Sequence, residues 1–136
     1  MSLVPDRSVT LSWCFEDERT DATDALLNQV VESGAEGPSL WPLEILNALS
    51  MAERRRRIDT ERRQRLCGFL HDLPVNIDVE TASRAWAATS QLATRFKLTL
   101  YDAAYLELAQ RLNLPLATLD KALRAAGRAL GIALRP

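Results

Sequence analysis

Two adjacent stretches, Leu98-Thr99-Leu100-Tyr101-Asp102-Ala103-Ala104-Tyr105-Leu106-Glu107-Leu108-Ala109 and Leu114-Pro115-Leu116-Ala117-Thr118-Leu119-Asp120, decide the reading of the fold. Ala103 to Leu112 leaves almost no polar side on a helix, and a helix of that kind is normally interior. Leu114–Thr118 is a short apolar strand, and Asp120 opens an alanine-rich helix that runs to Leu130 and closes at Gly131. Short apolar strands alternating with helices imply a parallel sheet covered on both faces.

The same alternation extends outward. Leu3-Val4-Pro5 is a first strand stopping at Asp6, and Ser8–Trp13 a short helix ending near Phe15. Ala22, Ala25, Leu26 and Val30 place a helix over about residues 20–31, ended by Gly34 and Gly37. Pro38–Pro42 reads as a brief extended segment. A helix from Leu43 carries Leu46, Leu49 and Ala52 on one face, and a further helix spans about residues 60–71. Pro74–Ile77 is a strand, after which Asp78 is placed to cap a helix with Glu80 in its first turn. That helix sets Ala82, Ala85, Trp86, Thr89, Leu92, Ala93 and Phe96 on one stripe, which makes Trp86 a core residue. Ile132–Leu134 is a last strand. With no repeat or linker, residues 1–136 read as a single α/β domain.

Composition narrows the chemistry. At 136 residues and a formal net charge of −1, the chain is an ordinary globular domain without a whole-surface attraction for nucleic acid. It has no apolar run of the roughly 18 residues that cross a bilayer, and an acid as early as Asp6 leaves no room for a signal peptide. A cytoplasmic protein with no membrane association is expected. Cys14 and Cys67 lie far apart with no C-x-x-C pair, so a zinc site of the usual Cys/His type is not expected and both thiols are expected reduced. The lone His71, at a helix end, suits a cap or a solvated side chain, so catalysis has to come from carboxylates. Arginines are concentrated at Arg54–Arg57, Arg62, Arg63 and Arg65. They suit either a solvated helix end or a phosphate-contacting patch, and both readings stand.

Four acids fall at telling places. Asp6 ends the first strand and Asp120 follows the strand at 114–118, so both lie where parallel sheets gather ligands. Asp102 opens the buried helix, whose N-terminus favours its charged form. Glu44 sits in a first helical turn, on one face with Asn47, whose amide is positioned to fix it by a hydrogen bond. Taken singly, each acid also has a structural explanation as a cap or first-turn residue. Converging, they would repel unless a divalent cation joined them, and an oxygen-only set points to Mg²⁺ or Mn²⁺.

At these residues the chain resembles the PIN-domain ribonucleases. Asp6-Arg7-Ser8-Val9-Thr10-Leu11-Ser12-Trp13 and Pro42-Leu43-Glu44-Ile45-Leu46-Asn47-Ala48-Leu49 are similar to the family's first two motifs, residues 98–109 to the third and Pro115–Asp120 to the fourth. The resemblance runs the full length, in order, and is closest to the VapC-like toxins of bacterial toxin–antitoxin pairs. It implies a three-layer α/β/α fold with a central parallel sheet of four to five short strands. It also implies a Mg²⁺-dependent endoribonuclease, with Asp6, Glu44, Asp102 and Asp120 as catalytic metal-site acids. Ser8, Asn47 and Thr118 would support them, and Arg7 with Arg54, Arg55, Arg56 and Arg57 would meet RNA. The partners so implied are a cognate antitoxin, the RNA substrate and a second copy in a homodimer.

Two residues depart from the family pattern. Arg7 stands where a small residue is usual, and Pro5 removes a hydrogen-bond donor from the first strand. The competing reading is therefore a catalytically impaired PIN-fold module that binds RNA or protein. A phosphatase-like hydrolase is weaker, since no glycine-rich phosphate loop is present. Trp13 and Trp41 are placed either to cover the groove near Asp6 and Glu44 or to line a protein interface.

Overall fold

The computed structural model describes residues 2–136. Five short strands form: β1 (Val4–Pro5), β2 (Ala35–Gly37), β3 (Val75–Ile77), β4 (Leu116–Ala117) and β5 (Leu134–Arg135). All pairings are parallel, with β1 beside β4, β4 beside β5, and β2 beside β3. A backbone bond from Glu36 N to Leu3 O (2.9 Å) joins the two groups, giving the spatial order β3-β2-β1-β4-β5. In a parallel ladder Glu36 O would take the return bond from residue 5, and Pro5 has no N–H to give. Among the described residues the seam between β1 and β2 therefore holds one backbone hydrogen bond, beside which Ser2 Oγ donates to Gly34 O (3.3 Å).

The helices are α1 (Arg7–Ser12), α2 (Asp21–Ser33), α3 (Trp41–Arg54), α4 (Thr60–Asp72), α5 (Thr81–Arg84), α6 (Ser90–Phe96), α7 (Leu100–Leu112) and α8 (Lys121–Ala129). From β1 the chain steps outward through β2 to β3, then returns across the sheet to β4 and continues to β5. Right-handed crossovers running in opposite directions put the two sets of helices on opposite faces, which is the expected layered α/β arrangement. Adjacent β1 and β4 form the point where the direction reverses, and open α/β sheets bind ligands in the crevice there.

α7 is the central helix of one layer. Seven consecutive residues, Ala103 to Ala109, are buried in it, and Asn113 ends it in a left-handed conformation. The one acid in that run, Glu107, is matched by Arg111 one turn on (Nε to Oε1, 2.7 Å), whose guanidinium also grips Asp78 (2.7 Å) and Glu80 (3.4 Å). Buried Leu3, Val4, Leu106, Leu108 and Leu116 fill the space around the strands, each contributing about 1.5–3 kcal/mol by leaving water.

Several expectations need correction. Residues 38–42 are not extended. They form a turn and the start of α3, where Pro42 is tolerated in the first helical turn, and the extended segment is instead Ala35–Gly37. Asp78 does not cap α5, whose N-cap is Glu80; its carboxylate binds Arg111 and the Thr81 hydroxyl. Trp86 is 90% exposed rather than core. The cause is a π-helical turn at Ala85–Thr89, which adds a residue to the turn and rotates the stripe away from its expected face. Trp13 and Trp41 are both largely buried, with Trp13 Nε1 donating to Thr23 O and Trp41 Nε1 to Thr10 Oγ1; Trp41 also lines a cleft with Pro42, Ile45 and Leu70. Cys14 and Cys67 are free thiols. No helix among the described residues is long and apolar enough to cross a membrane.

Candidate functional site

Asp6 follows β1 and caps α1, its Oδ1 accepting from Val9 N (3.1 Å). It is 3% exposed, so its remaining capacity has to be met by protein. Ser8 Oγ donates to Oδ1 and Thr118 Oγ1 to Oδ2, each at 2.6 Å. Both hydroxyls in turn accept from the loop after β4: Leu119 N reaches Ser8 Oγ (2.9 Å) and Asp120 N reaches Thr118 Oγ1 (3.0 Å). Two hydroxyls thus tie the carboxyl ends of β1 and β4 together through one carboxylate.

Asp120 caps α8, with Leu123 N donating to Oδ2 (2.9 Å), and is exposed. Asp102 has no such duty. The cap of α7 is Thr99, whose hydroxyl accepts from Asp102 N (3.1 Å), and this removes the capping explanation for that acid. Glu44, in the first turn of α3, accepts a 2.7 Å hydrogen bond on Oε1 from the hydroxyl of Tyr105. The expected hydrogen bond from Asn47 is not formed among the described residues, because the Tyr105 phenol holds that carboxylate from below; Asn47 is exposed on the wall of the adjoining groove. Tyr105 is the residue that sequence reasoning missed. The signal was there: a lone hydroxyl three residues after Asp102, in a buried run, has to find a partner.

The electrostatics shows that these groups act on one another. Burial pushes the Asp6 carboxyl above its usual range against the pull of Ser8, Thr118 and Val9, and the charge of Asp102 adds to the rise. Burial also raises Asp102, followed by the charge of Asp120, with Thr99 and Arg7 pulling the other way. Tyr105 is held firmly protonated by burial, by its bond to Glu44 and by the charges of Glu44, Asp6 and Asp102. Asp6, Asp102, Asp120 and Glu44 therefore share one electrostatic neighbourhood around the reversal point of the sheet.

This donor set suits a hard divalent cation: it is oxygen-only, and burial and like charge disfavour the ionised forms of Asp6 and Asp102, which a cation would relieve. Among the described residues no three of these side chains approach closely enough to hold an ion unaided. That matches the habit of Mg²⁺, which takes one or two carboxylates and keeps several waters.

From Glu44 an open groove of about 730 Å³ runs along α3, with Arg7, Asn47, Arg55 and Tyr101 on its walls and Leu11, Phe15 and Leu43 in its lining. The guanidinium groups of Arg7 and Arg55 make no hydrogen bond among the described residues. Arg57, although it also lines the groove, is committed to Asp17 (2.7 Å) and Glu18 (2.9 Å) and stacks on Phe15 at 3.8 Å. Arg54 turns back to Met51 Sδ, and Arg56 is exposed in a left-handed conformation.

The sequence profile of the PIN domain matches residues 3–129. The chain belongs to the PIN domain family. Its fold is similar to that of PAE2754 from Pyrobaculum aerophilum (20% identity, TM-score 0.65, covering 98% of this chain and 92% of that one). It is also similar to VapBC2 from Rickettsia felis, bound to a DNA fragment from their promoter (12%, TM-score 0.66, 99% and 98%), and to FitAcB from Neisseria gonorrhoeae (14%, TM-score 0.68, 100% and 97%). No curated protein matches the chain in sequence.

Proposed function

We propose that the chain, as one PIN-like domain, is a metal-dependent endoribonuclease and the toxin of a toxin–antitoxin pair. The observation that carries this reading is geometric: Asp6 and Asp120 stand at the carboxyl ends of adjacent β1 and β4, tied together through Ser8 and Thr118, and Glu44 is joined to α7, the helix of Asp102, by the Tyr105 hydroxyl. Asp102, Asp120 and the free oxygen of Glu44 would hold Mg²⁺, or Mn²⁺, with Asp6 behind them. A bound ion of this kind supplies an acidified water and a clamp for an in-line phosphodiester displacement. Ser8 and Thr118 keep Asp6 oriented, and Asn47 offers an amide at the groove wall. Arg7 and Arg55 are the arginines best placed to meet RNA phosphates; Arg54, Arg56 and Arg57 are secondary. The likeness to VapBC2 and FitAcB supports a cognate antitoxin as partner; a homodimer and a cytoplasmic setting belong to the same proposal.

The test is cleavage of a structured RNA with and without Mg²⁺, by the wild type and by Asp102→Asn. Metal-dependent cleavage lost on substitution is expected. Cleavage that survives both EDTA and the substitution rules the mechanism out.

One observation favours a second reading, a PIN-fold module that binds RNA or protein without cutting. The guanidinium of Arg7 acts on Asp102 and lowers its pKa, partly doing the work of a cation. Calorimetric titration of Mn²⁺ separates the two, since an impaired site shows no carboxylate-dependent binding.

A further inference from the structure

The buried hydroxyl on α7 has a precise address. Tyr105 is 0% exposed, so the direction of its phenol is fixed by the surrounding core, and its hydroxyl lies 2.7 Å from Glu44 Oε1. Asp102 lies three residues earlier, so both residues share one face of α7, and one rigid helix sets the position of one acid directly and of another through a hydrogen bond. The Glu44 carboxylate takes no other hydrogen bond among the described residues. A glutamate lining an open groove otherwise keeps much of its rotamer freedom. Tying Oε1 down removes that freedom and leaves Oε2 as the atom available in the groove.

We infer that Tyr105 is a positioning residue of the carboxylate site, holding Glu44 with one oxygen presented to the bound cation. This rests on the metal-site reading above. The phenol suits the task because a hydroxyl set 2.7 Å from a carboxylate oxygen donates to it, and the buried ring fixes the direction of that donor. It brings no charge of its own into a site already crowded with negative charge. The geometry also explains why a tyrosine occupies a helix position that leucine or isoleucine would fill in a purely apolar core.

The experiment is a calorimetric Mn²⁺ titration of the wild type, Tyr105→Phe, Glu44→Ala and the double variant, each checked for folding by its melting curve. Phenylalanine keeps the ring and removes only the hydroxyl. Removing a group that orients a metal ligand typically weakens metal affinity about 10- to 100-fold, and that loss is expected for Tyr105→Phe. In the Glu44→Ala background the same substitution should change affinity less than about twofold, because the hydroxyl acts through Glu44. A slowly exchanging Tyr105 hydroxyl proton in the NMR spectrum of the wild type reports the bond without any substitution. Tyr105→Phe binding Mn²⁺ as the wild type does overturns the proposal and leaves the metal site standing. An equal loss in both backgrounds assigns Tyr105 a purely structural role and also overturns it. A wild type that binds no Mn²⁺ overturns the metal-site reading and this inference with it.

Discussion

Replacing Thr118 by valine removes one oxygen and keeps the shape of a fully buried side chain. The lost Oγ1 donates to Asp6 Oδ2 at 2.6 Å and accepts from Asp120 N at 3.0 Å. A hydrogen bond to a charged group contributes about 1.5–3 kcal/mol. The freed Asp120 N–H lies beside solvent and adds roughly 0.5 kcal/mol. The new methyl returns about 0.8 kcal/mol of apolar burial. The net loss comes to about 1–3 kcal/mol, or a drop of roughly 4–12 °C in melting temperature for a domain of this size. The deficit also has a pH signature. With one donor fewer, the Asp6 pKa rises further, so protonation relieves the variant at a higher pH than the wild type, and the gap narrows on acidification. Urea unfolding at pH 7 and pH 5 reads both effects from the midpoint at constant slope. A Thr118→Val protein within 0.5 kcal/mol of the wild type at pH 7, or a gap that widens at pH 5, would refute the view that Thr118 holds an ionised Asp6.

Three further expectations follow from the same geometry. Asp6 and Asp102 have folded pKa values above their ordinary 3.8, so the folded state binds more protons between 3.8 and the raised values, and stability falls as pH rises through that window. Asp78 and Glu53, lowered from 3.8 and 4.5, oppose this, losing their stabilising effect as pH falls below those values. The metal-free protein should therefore melt higher at pH 5 than at pH 7.5, and saturating Mg²⁺ should flatten that slope; a melting temperature that falls steadily on acidification contradicts it. Arg7→Ala and Arg55→Ala should each reduce the salt dependence of RNA binding by about one phosphate contact, measured by fluorescence anisotropy. Arg57→Ala should leave that slope unchanged and cost at most roughly 1 kcal/mol, because its partners are exposed. Arg111→Ala strands two nearly buried carboxylates, Asp78 and Glu107, and should cost about 3–5 kcal/mol in chemical denaturation.

The fold was legible where local chemistry and tertiary context agree. Asp6, Asp102 and Asp120 each mark a strand-to-helix turn or a helix start, and the apolar run after Asp102 has only one reasonable location. Ala35-Glu36-Gly37 was not legible, because nothing in those residues favours a strand; it is made by pairing with Val75–Ile77. Trp86 was misread for a different reason. Thr89, Leu92 and Ala93 keep their buried face, while one π turn before them shifts the phase of everything upstream. At the site the acids could be named from their positions. Among the supports, Ser8 and Thr118 were expected from the family resemblance and do bind Asp6, whereas the Tyr105 hydroxyl on Glu44 was not foreseen. Glu44 and Tyr105 are separated by 61 residues, and Asp6 and Thr118 by 112, distances over which spacing carries no information. Asn47, the local candidate on the same helix face as Glu44, lost to a partner from another helix.

Pro5 reaches beyond the missing donor. Because β1 reaches β2 through the bond from Glu36 N to Leu3 O, while β1 and β4 are stitched by backbone bonds on both sides of Pro5, the sheet is unequally cohesive across its width. The half carrying β2 and β3 can part from the rest at the cost of little backbone pairing, held instead by side-chain packing. Native-state hydrogen exchange should then show two cooperative units, with the Glu36 amide opening in step with β2 and β3 and the Asp6 amide only with global unfolding. Asp6, and the hydroxyls that hold it, belong to the unit that opens last.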